Sequence, residues 1–437
     1  MRNERRRAPR HRFVTIAEVE DAAKLRIYED AAAQMMHTPK IVRYALAILL
    51  LFMPTMISAL LAPSDTKPWW SVQTSGLDTN LRGVSVKDVG GSGKMEYVVW
   101  ASGSHGVILR SVNSGGSWKQ LTVAGGGDLD FRDIEAYDEN VAYVMSSGDG
   151  EKSRIYKTVD GGKTWKLQYT DRRAGFFLDA LACDTKTHCV ALSDPVDGKF
   201  LVLSTSDGEH WTELPREHMP AALDKEGAFA ASGTAIALCE RSGIYFGTGG
   251  PKARIFHSAD EGQTWTVVET PIRSGNPSSG VFSIACEGSD DLVAVGGDYN
   301  LPADADRVAI YSDDAGATWK IAATQPGGYR SAVGSFSYGD FAAVGPNGTD
   351  VSHDKGAHWT HTDYLNLNAA SFEGTAGWGV GPKGTIAKFS THWFYDIKNS
   401  APPEKVYGAG HIVGELDRIS AAMPRLLRYR MQPANED

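Results

Sequence analysis

Short apolar runs alternate with polar clusters and glycines along the middle of the chain. The runs read "GVILR" (106–110), "SRIYK" (153–157), "KFLVL" (199–203), "ARIFH" (253–257) and "VAIYS" (308–312). Each is too short for a helix and is bounded by turn residues, which predicts a strand. Each is followed by a shorter polar–apolar stretch: "WKQLTV", "WKLQYT", "WTELP", "WTVVET" and "WKIAAT". Two further strands precede each pair, as in "FRDIEAYDENVAYVMSSG" and "VFSIACEGSDDLVAVGG". The unit is therefore four strands long.

The joint between the third and fourth strands repeats almost letter for letter. It reads "SVNSGGSW" (111–118), "TVDGGKTW" (158–165), "STSDGEHW" (204–211), "SADEGQTW" (258–265), "SDDAGATW" (312–319) and "SHDKGAHW" (352–359). Trp118, Trp165, Trp211, Trp265, Trp319 and Trp359 recur every 40 to 54 residues. A period of that size built from strands and turns predicts a propeller of four-stranded antiparallel blades. Glycine supplies positive φ in each turn. The acidic or amide side chain (Asn113, Asp160, Asp260, Asp314, Asp354, with Ser206 in the corresponding place of the third turn) accepts hydrogen bonds from its own turn. Tryptophan opens the outer strand and covers the edge of its blade. The role assigned to the turn is structural.

Six turns are visible, but the expectation is a single seven-bladed ring over residues 67–389. The last unit, "LNAASFEGTAGWGVGPKGTIAKF" (367–389), has three strands and no turn motif. "KPWWSVQTSG" (67–76) resembles an outer strand with nothing upstream to pair with. Trp70 to Ser75 is thus the expected fourth strand of the last blade, closing the ring and removing its open edges. "HWFYDI" (392–397) is the rival for that place.

The N-terminus is different in kind. Residues 44–62, "YALAILLLFMPTMISALLA", are apolar, uncharged and preceded by Lys40 and Arg43. That layout predicts a signal peptide over residues 35–62 cleaved near Ala62, with an uncleaved membrane anchor as the alternative. A basic leader, residues 1–34, lies in front of Met35 and Met36, either of which would serve as a start, so the leader need not belong to the mature protein. The propeller is accordingly expected in the periplasm or outside the cell, touching membrane only through an uncleaved segment. Residues 390–437 are a tail, partly helical or disordered.

The turn motif resembles the Asp-box of bacterial neuraminidase repeats. The wider unit, above all "LRGVSV" and "ASFEGTAGWGVGPKGTI", looks like the photosystem II stability/assembly factor family of seven-bladed propellers. That resemblance implies a non-catalytic protein that holds partners while a membrane or envelope complex is assembled; a monomer is expected. Nothing in the residues themselves points to photosynthesis. The chain departs from the pattern at Asn113 and Ser206, where a weaker local turn is expected.

Composition narrows the chemistry. A net charge of −9 with no basic stripe outside the N-terminus argues against nucleic acid. The histidines do not cluster, His353 and His358 merely share a turn, and no Cys-x-x-Cys occurs, so no metal site is expected. "GGSG" (90–93) and "AGGGD" (124–128) lack the strand–loop–helix setting of a phosphate site, so no cofactor is expected. The alternative to a scaffold is a glycoside hydrolase with carboxylates at the channel mouth, for which Asp133 and Asp179 near inner-strand starts are the candidates. No catalytic residue is assigned. "LRG", "FRD" and "YRS" hold one place in three units, so Arg82, Arg132 and Arg330 are expected to converge at the mouth, where guanidinium groups could grip an anionic tail. Cys183 and Cys189 flank a hairpin turn and are expected to form a disulfide. Cys239 and Cys286 hold matching places in neighbouring units; they either bridge the blades or stay as buried thiols, the thiols being favoured.

Overall fold

The computed structural model describes residues 69–391, apart from 92–94 and 241–242. The expectations for residues 1–34, 35–62 and the chain beyond 391 lie outside the described residues. Among the described residues no helix is long and apolar enough to cross a membrane.

Seven antiparallel sheets follow one another along the chain. Blade 1 is Leu81–Asp88, Tyr97–Gly103, Ile108–Ser111 and Lys119–Leu121. Blade 2 is Asp130–Ala136, Ala142–Ser147, Arg154–Thr158 and Lys166–Thr170. Blade 3 is Leu178–Cys183, Cys189–Val196, Lys199–Thr205 and Thr212–Glu213. Blade 4 is Ile236–Cys239, Gly243–Gly247, Arg254–Ser258 and Thr266–Glu269. Blade 5 is Asn276–Glu287, Asp291–Asp298, Ala309–Ser312 and Lys320–Ile321, with Gly249–Gly250 added along its first strand. Blade 6 is Ala332–Ser337, Asp340–Gly345, Gly348–Ser352 and Thr360–Asp363. Blade 7 is Ala369–Glu373, Ala376–Val380 and Thr385–Ser390, and its outer strand is Trp70–Thr74, running antiparallel from Trp70↔Phe389 to Thr74↔Thr385.

Burial explains the sequence pattern. Blades pack face to face, so their second strands are covered on both sides and read as continuous apolar runs; Tyr97–Gly103 and Ala142–Ser147 are buried throughout. Outer strands such as Lys119–Leu121 are mostly exposed and short. The apolar residues form seven clusters, one per seam. One joins blade 1 to blade 2 through Trp100, Ile134 and Val144. Another joins blade 7 to blade 1 through Trp378, Ile386 and Val99. The seam between the last blade and the first is therefore packed like the others.

The acidic turns carry more than their own hairpins. Asp160 Oδ1 accepts from the Thr164 amide at 2.9 Å and from Thr158 Oγ1 at 2.9 Å, while Thr158 Oγ1 accepts the Gly162 amide at 2.9 Å. Gly162 sits at φ +78°, and a Cβ there would drive into Leu121 of blade 1. Each such turn leans on the blade before it: Arg110 of blade 1 donates to the Gly161 carbonyl, and Tyr143 of blade 2 to the Gly208 carbonyl. Trp165 meets Trp100 edge-on at 6.1 Å, and Trp211 meets Tyr143 at 6.2 Å. These tryptophans cover the seam with the preceding blade rather than the edge of their own.

Two details differ from expectation. Asn113 makes the full set of turn bonds, its Oδ1 accepting from the Ser117 amide at 2.9 Å and from Ser111 Oγ at 2.9 Å. In the third turn the acidic place belongs to Asp207, not Ser206. Asp207 Oδ1 accepts the amides of Glu209 and His210, both at 2.8 Å, because this turn is one residue tighter between hydroxyl and tryptophan.

Candidate functional site

The chain enters each inner strand at one end of the propeller and makes its acidic turn at the other, since three strands separate the two points. Around the first of these ends four inner strands carry a β-bulge. Register shifts fall between Leu81 and Gly83, Phe131 and Asp133, Leu178 and Ala180, and Val281 and Ser283. The extra residues are Arg82, Arg132, Asp179 and Phe282, and all four line a central cavity of about 510 Å³. A bulge adds one unpaired residue and re-aims its side chain. Four blades use it to turn a side chain into the hub.

Arg330 does not join them. Its blade starts pairing at Ala332 and has no bulge at this place, so its side chain turns back into blade 6. There it is fully buried: Nε donates to Asp350 Oδ2 at 2.7 Å, Nη2 bonds the same oxygen, and Nη1 donates to the Tyr329 carbonyl at 2.9 Å. Tyr329 lines the cavity in its stead.

Asp133 also leaves the mouth. Its carboxylate accepts the Ile134 amide and, across the seam, the Leu181 amide of blade 3, both at 2.7 Å. It is a buried staple between blades 2 and 3, and burial holds its carboxyl well above the usual range. Asp179 does reach the cavity, is 1% exposed, and leaves Oδ2 without a hydrogen-bond partner. Burial pushes its carboxyl well up as well, with Asp194 adding to the shift. Asp194 on the neighbouring strand is raised to about 6 by desolvation.

An element that the strand pattern does not reveal enters the hub and forms one wall of its cavity. The connection from blade 3 to blade 4, residues 214–235, folds inward and touches most of the ring. Glu226 pairs with the blade 4 Arg254. Asp194 of blade 3 accepts the Ala228 amide at 2.9 Å. Phe229 stacks on Phe282 of blade 5 at 3.7 Å. The Ala230 carbonyl accepts both from Arg82 at 3.2 Å and from Arg132 at 2.9 Å. Ser232 Oγ donates to the Ser331 carbonyl, just before blade 6, at 2.7 Å. Arg82 and Arg132 thus converge as expected, but on a carbonyl of their own chain. Arg132 is further tied to Asp130 at 2.7 Å. The step from Trp211 to Trp265 is 54 residues, longer than the two before it, but the step to Trp319 is 54 as well, so spacing does not single out this loop.

Both cysteine pairs are disulfides. Cys183–Cys189 closes the hairpin of blade 3. Cys239–Cys286 bridges the inner strands of blades 4 and 5, in place of the free thiols expected from the sequence; the two Cα atoms stand 5.8 Å apart, within bridging range. His353 pairs with Asp340 at 2.9 Å and His358 with Asp354 at 2.7 Å. Among the described residues no group of three metal-ligating side chains gathers.

A family model described as photosynthesis system II assembly factor YCF48 matches residues 57–327, more than half of the chain. The chain belongs to the YCF48 family. YCF48 from Cyanidioschyzon merolae matches at 16% identity, over 74% of this chain and 98% of that one, with a TM-score of 0.52. A YCF48 structure bound to a D1 peptide matches at 14% identity, over 75% of this chain and 99% of that one, with a TM-score of 0.48. Virginiamycin B lyase from Staphylococcus aureus matches as well as the first, at 14% identity over 74% and 99% with a TM-score of 0.52. At such identities these likenesses bear on the fold alone. No curated protein matches the chain significantly.

Proposed function

We propose that this YCF48-family chain is a non-catalytic, exported scaffold that binds a protein partner during assembly of an envelope or membrane complex. The observation that carries this reading is family membership joined to a hub narrowed by the chain's own loop. With the loop crossing the axis, recognition by a protein partner falls to the loops around the mouth. Tyr299 and Leu301, on the long connection within blade 5, are 49% and 47% exposed there. An exposed aromatic and an exposed aliphatic side chain on one loop are the kind of apolar anchor that a partner surface needs. Arg132, only partly buried, adds a positive group at the same mouth for an anionic segment of that partner. The apolar run 44–62 and two disulfides support an oxidising compartment outside the cytoplasm, and the propeller acts as a monomer.

A glycoside hydrolase is the weaker reading. It needs two carboxyls on opposite sides of a cleft. Asp179 and Asp194 stand on adjacent strands of blade 3, and Asp194 is already bonded to the hub loop. Cross-linking and capture from envelope extracts tests the scaffold. The double variant Tyr299→Ala, Leu301→Ser is expected to lose the partner captured by the parent while melting at the same temperature. A variant that keeps its partner overturns the assignment of this face.

A further inference from the structure

We propose that the hub cavity receives an uncharged aromatic ring carrying a hydroxyl, as a tyrosine side chain of the protein partner presents it. This rests on the reading of the mouth as the partner-binding face, and it names what that face admits. Five aromatic residues line the cavity: Phe177, Phe229, Phe282, Tyr299 and Tyr329. None of the five belongs to the apolar clusters that join the blades, so packing of the seams does not account for them. Four of them form one set around Phe282, which its bulge turns into the hub. Phe229 of the hub loop stacks on it at 3.7 Å, while Tyr329 and Tyr299 meet it edge-on at 4.8 Å and 6.1 Å. Tyr299 is also 49% exposed, so the cavity opens onto the rim. The charged groups of the wall are engaged within the chain. Arg132 holds Asp130 and the Ala230 carbonyl, Arg82 holds the same carbonyl, and Asp194 holds the Ala228 amide. Tyr329 differs from them. It is 6% exposed, and its hydroxyl has no hydrogen-bond partner among the described residues. Unlike Arg82 Nε and Asp179 Oδ2, that hydroxyl keeps open surface, so a guest can reach it. Desolvation raises it above the usual tyrosine range, so it stays neutral and offers both a donor and an acceptor. A ring seated here finds faces and edges to pack against, and its own hydroxyl finds Tyr329. The volume, about 510 Å³, admits the ring with the residues that carry it.

The test uses amino-acid derivatives blocked at both ends, so that only an uncharged side chain differs. The protein is titrated with N-acetyltyrosinamide, N-acetylphenylalaninamide and N-acetylleucinamide, and binding is followed by NMR. The tyrosine derivative is expected to bind with a Kd of about 1 mM, the phenylalanine derivative about fivefold more weakly, and the leucine derivative at least about tenfold more weakly. Intermolecular contacts should run from the bound ring to Phe229 and Tyr329. Tyr329→Phe removes one hydroxyl and no packing. It should weaken the tyrosine derivative about fivefold and leave the phenylalanine derivative unchanged. Equal binding of the leucine derivative, a tyrosine derivative indifferent to Tyr329→Phe, or no binding of it at about 10 mM each overturns the proposal. Capture from extracts is read separately, so failure of the pocket and failure of the rim assignment are told apart.

Discussion

In six blades a buried hydroxyl, from Ser111, Thr158, Thr205, Ser258, Ser312 or Ser352, accepts the amide of the turn glycine. The aspartates that mark the motif face solvent, and their turn bonds hold Asp160 and Asp260 down at about 2. The hydroxyls are at most 2% exposed, so water cannot replace them. Thr158→Val keeps the shape but strands the Gly162 amide, and is expected to cost about 1–2 kcal/mol in urea unfolding, with Thr158→Ser close to neutral. A valine variant as stable as the parent would show that the amide finds another partner. Arg330 belongs to the same scale. Its guanidinium lies buried against Asp350, so Arg330→Ala leaves a buried carboxylate with only the Gly327 amide and His361 beside its other oxygen and should cost about 3 kcal/mol. The paired change Arg330→Met, Asp350→Leu should recover most of that loss. Partner capture should be untouched in both, as neither residue faces the mouth.

Six of the seven blades were legible because each announces itself locally: a short apolar run, a glycine turn and a tryptophan opening the outer strand. The hub was not. Arg82, Arg132 and Arg330 hold the same place in sequence, yet only two reach the cavity, because a one-residue bulge decides which way the side chain points. A bulge is a property of a strand pair, and one strand read alone does not carry it. The loop 226–234 is harder still. Its partners come from blades 1, 2, 3, 4 and 5 and from the entry to blade 6, so nothing within "EGAFAASGT" signals where it docks. Its attachment is testable as an element. Glu226 is buried and bonded to both Arg254 and Thr248, so it anchors the N-terminal end of the loop. Glu226→Ala is expected to speed hydrogen exchange at Gly227, Ala228 and Ala231 by at least about tenfold, while amides in the second strands of the blades keep their protection. Equal loss of protection everywhere would mean that the loop and the ring open as one unit.

At the scale of the whole molecule, buried acids and exposed acids pull stability in opposite directions with pH. The hub and seams bury Asp133 and Asp179 and half-bury Asp194 and Glu135, and desolvation raises all four carboxyls, Asp194 from 3.8 to about 6 and Glu135 from 4.5 to about 7. Over the range between unfolded and folded values the native chain binds protons that the unfolded chain has released. Stability contributed by these groups is therefore present at low pH and lost as pH rises through the folded values. The rim does the reverse. Asp171 and Glu209 are held at about 2, by Arg173 and by Lys166 with Lys157, and their contribution disappears only as pH falls from about 4 towards 2. Unfolding free energy should consequently peak near pH 4 rather than at neutrality. Asp194 alone accounts for a fall of about 1–2 kcal/mol between about pH 5 and pH 7.5. Asp194→Asn keeps an acceptor for the Ala228 amide and cannot ionise. It should match the parent near pH 4, exceed it by about 2 kcal/mol near pH 7.5, and flatten the alkaline limb of the curve. Urea unfolding across that range measures all three, and a parent more stable at pH 7.5 than at pH 5 would mean that water reaches the hub carboxyls and that the loop does not seal the axis.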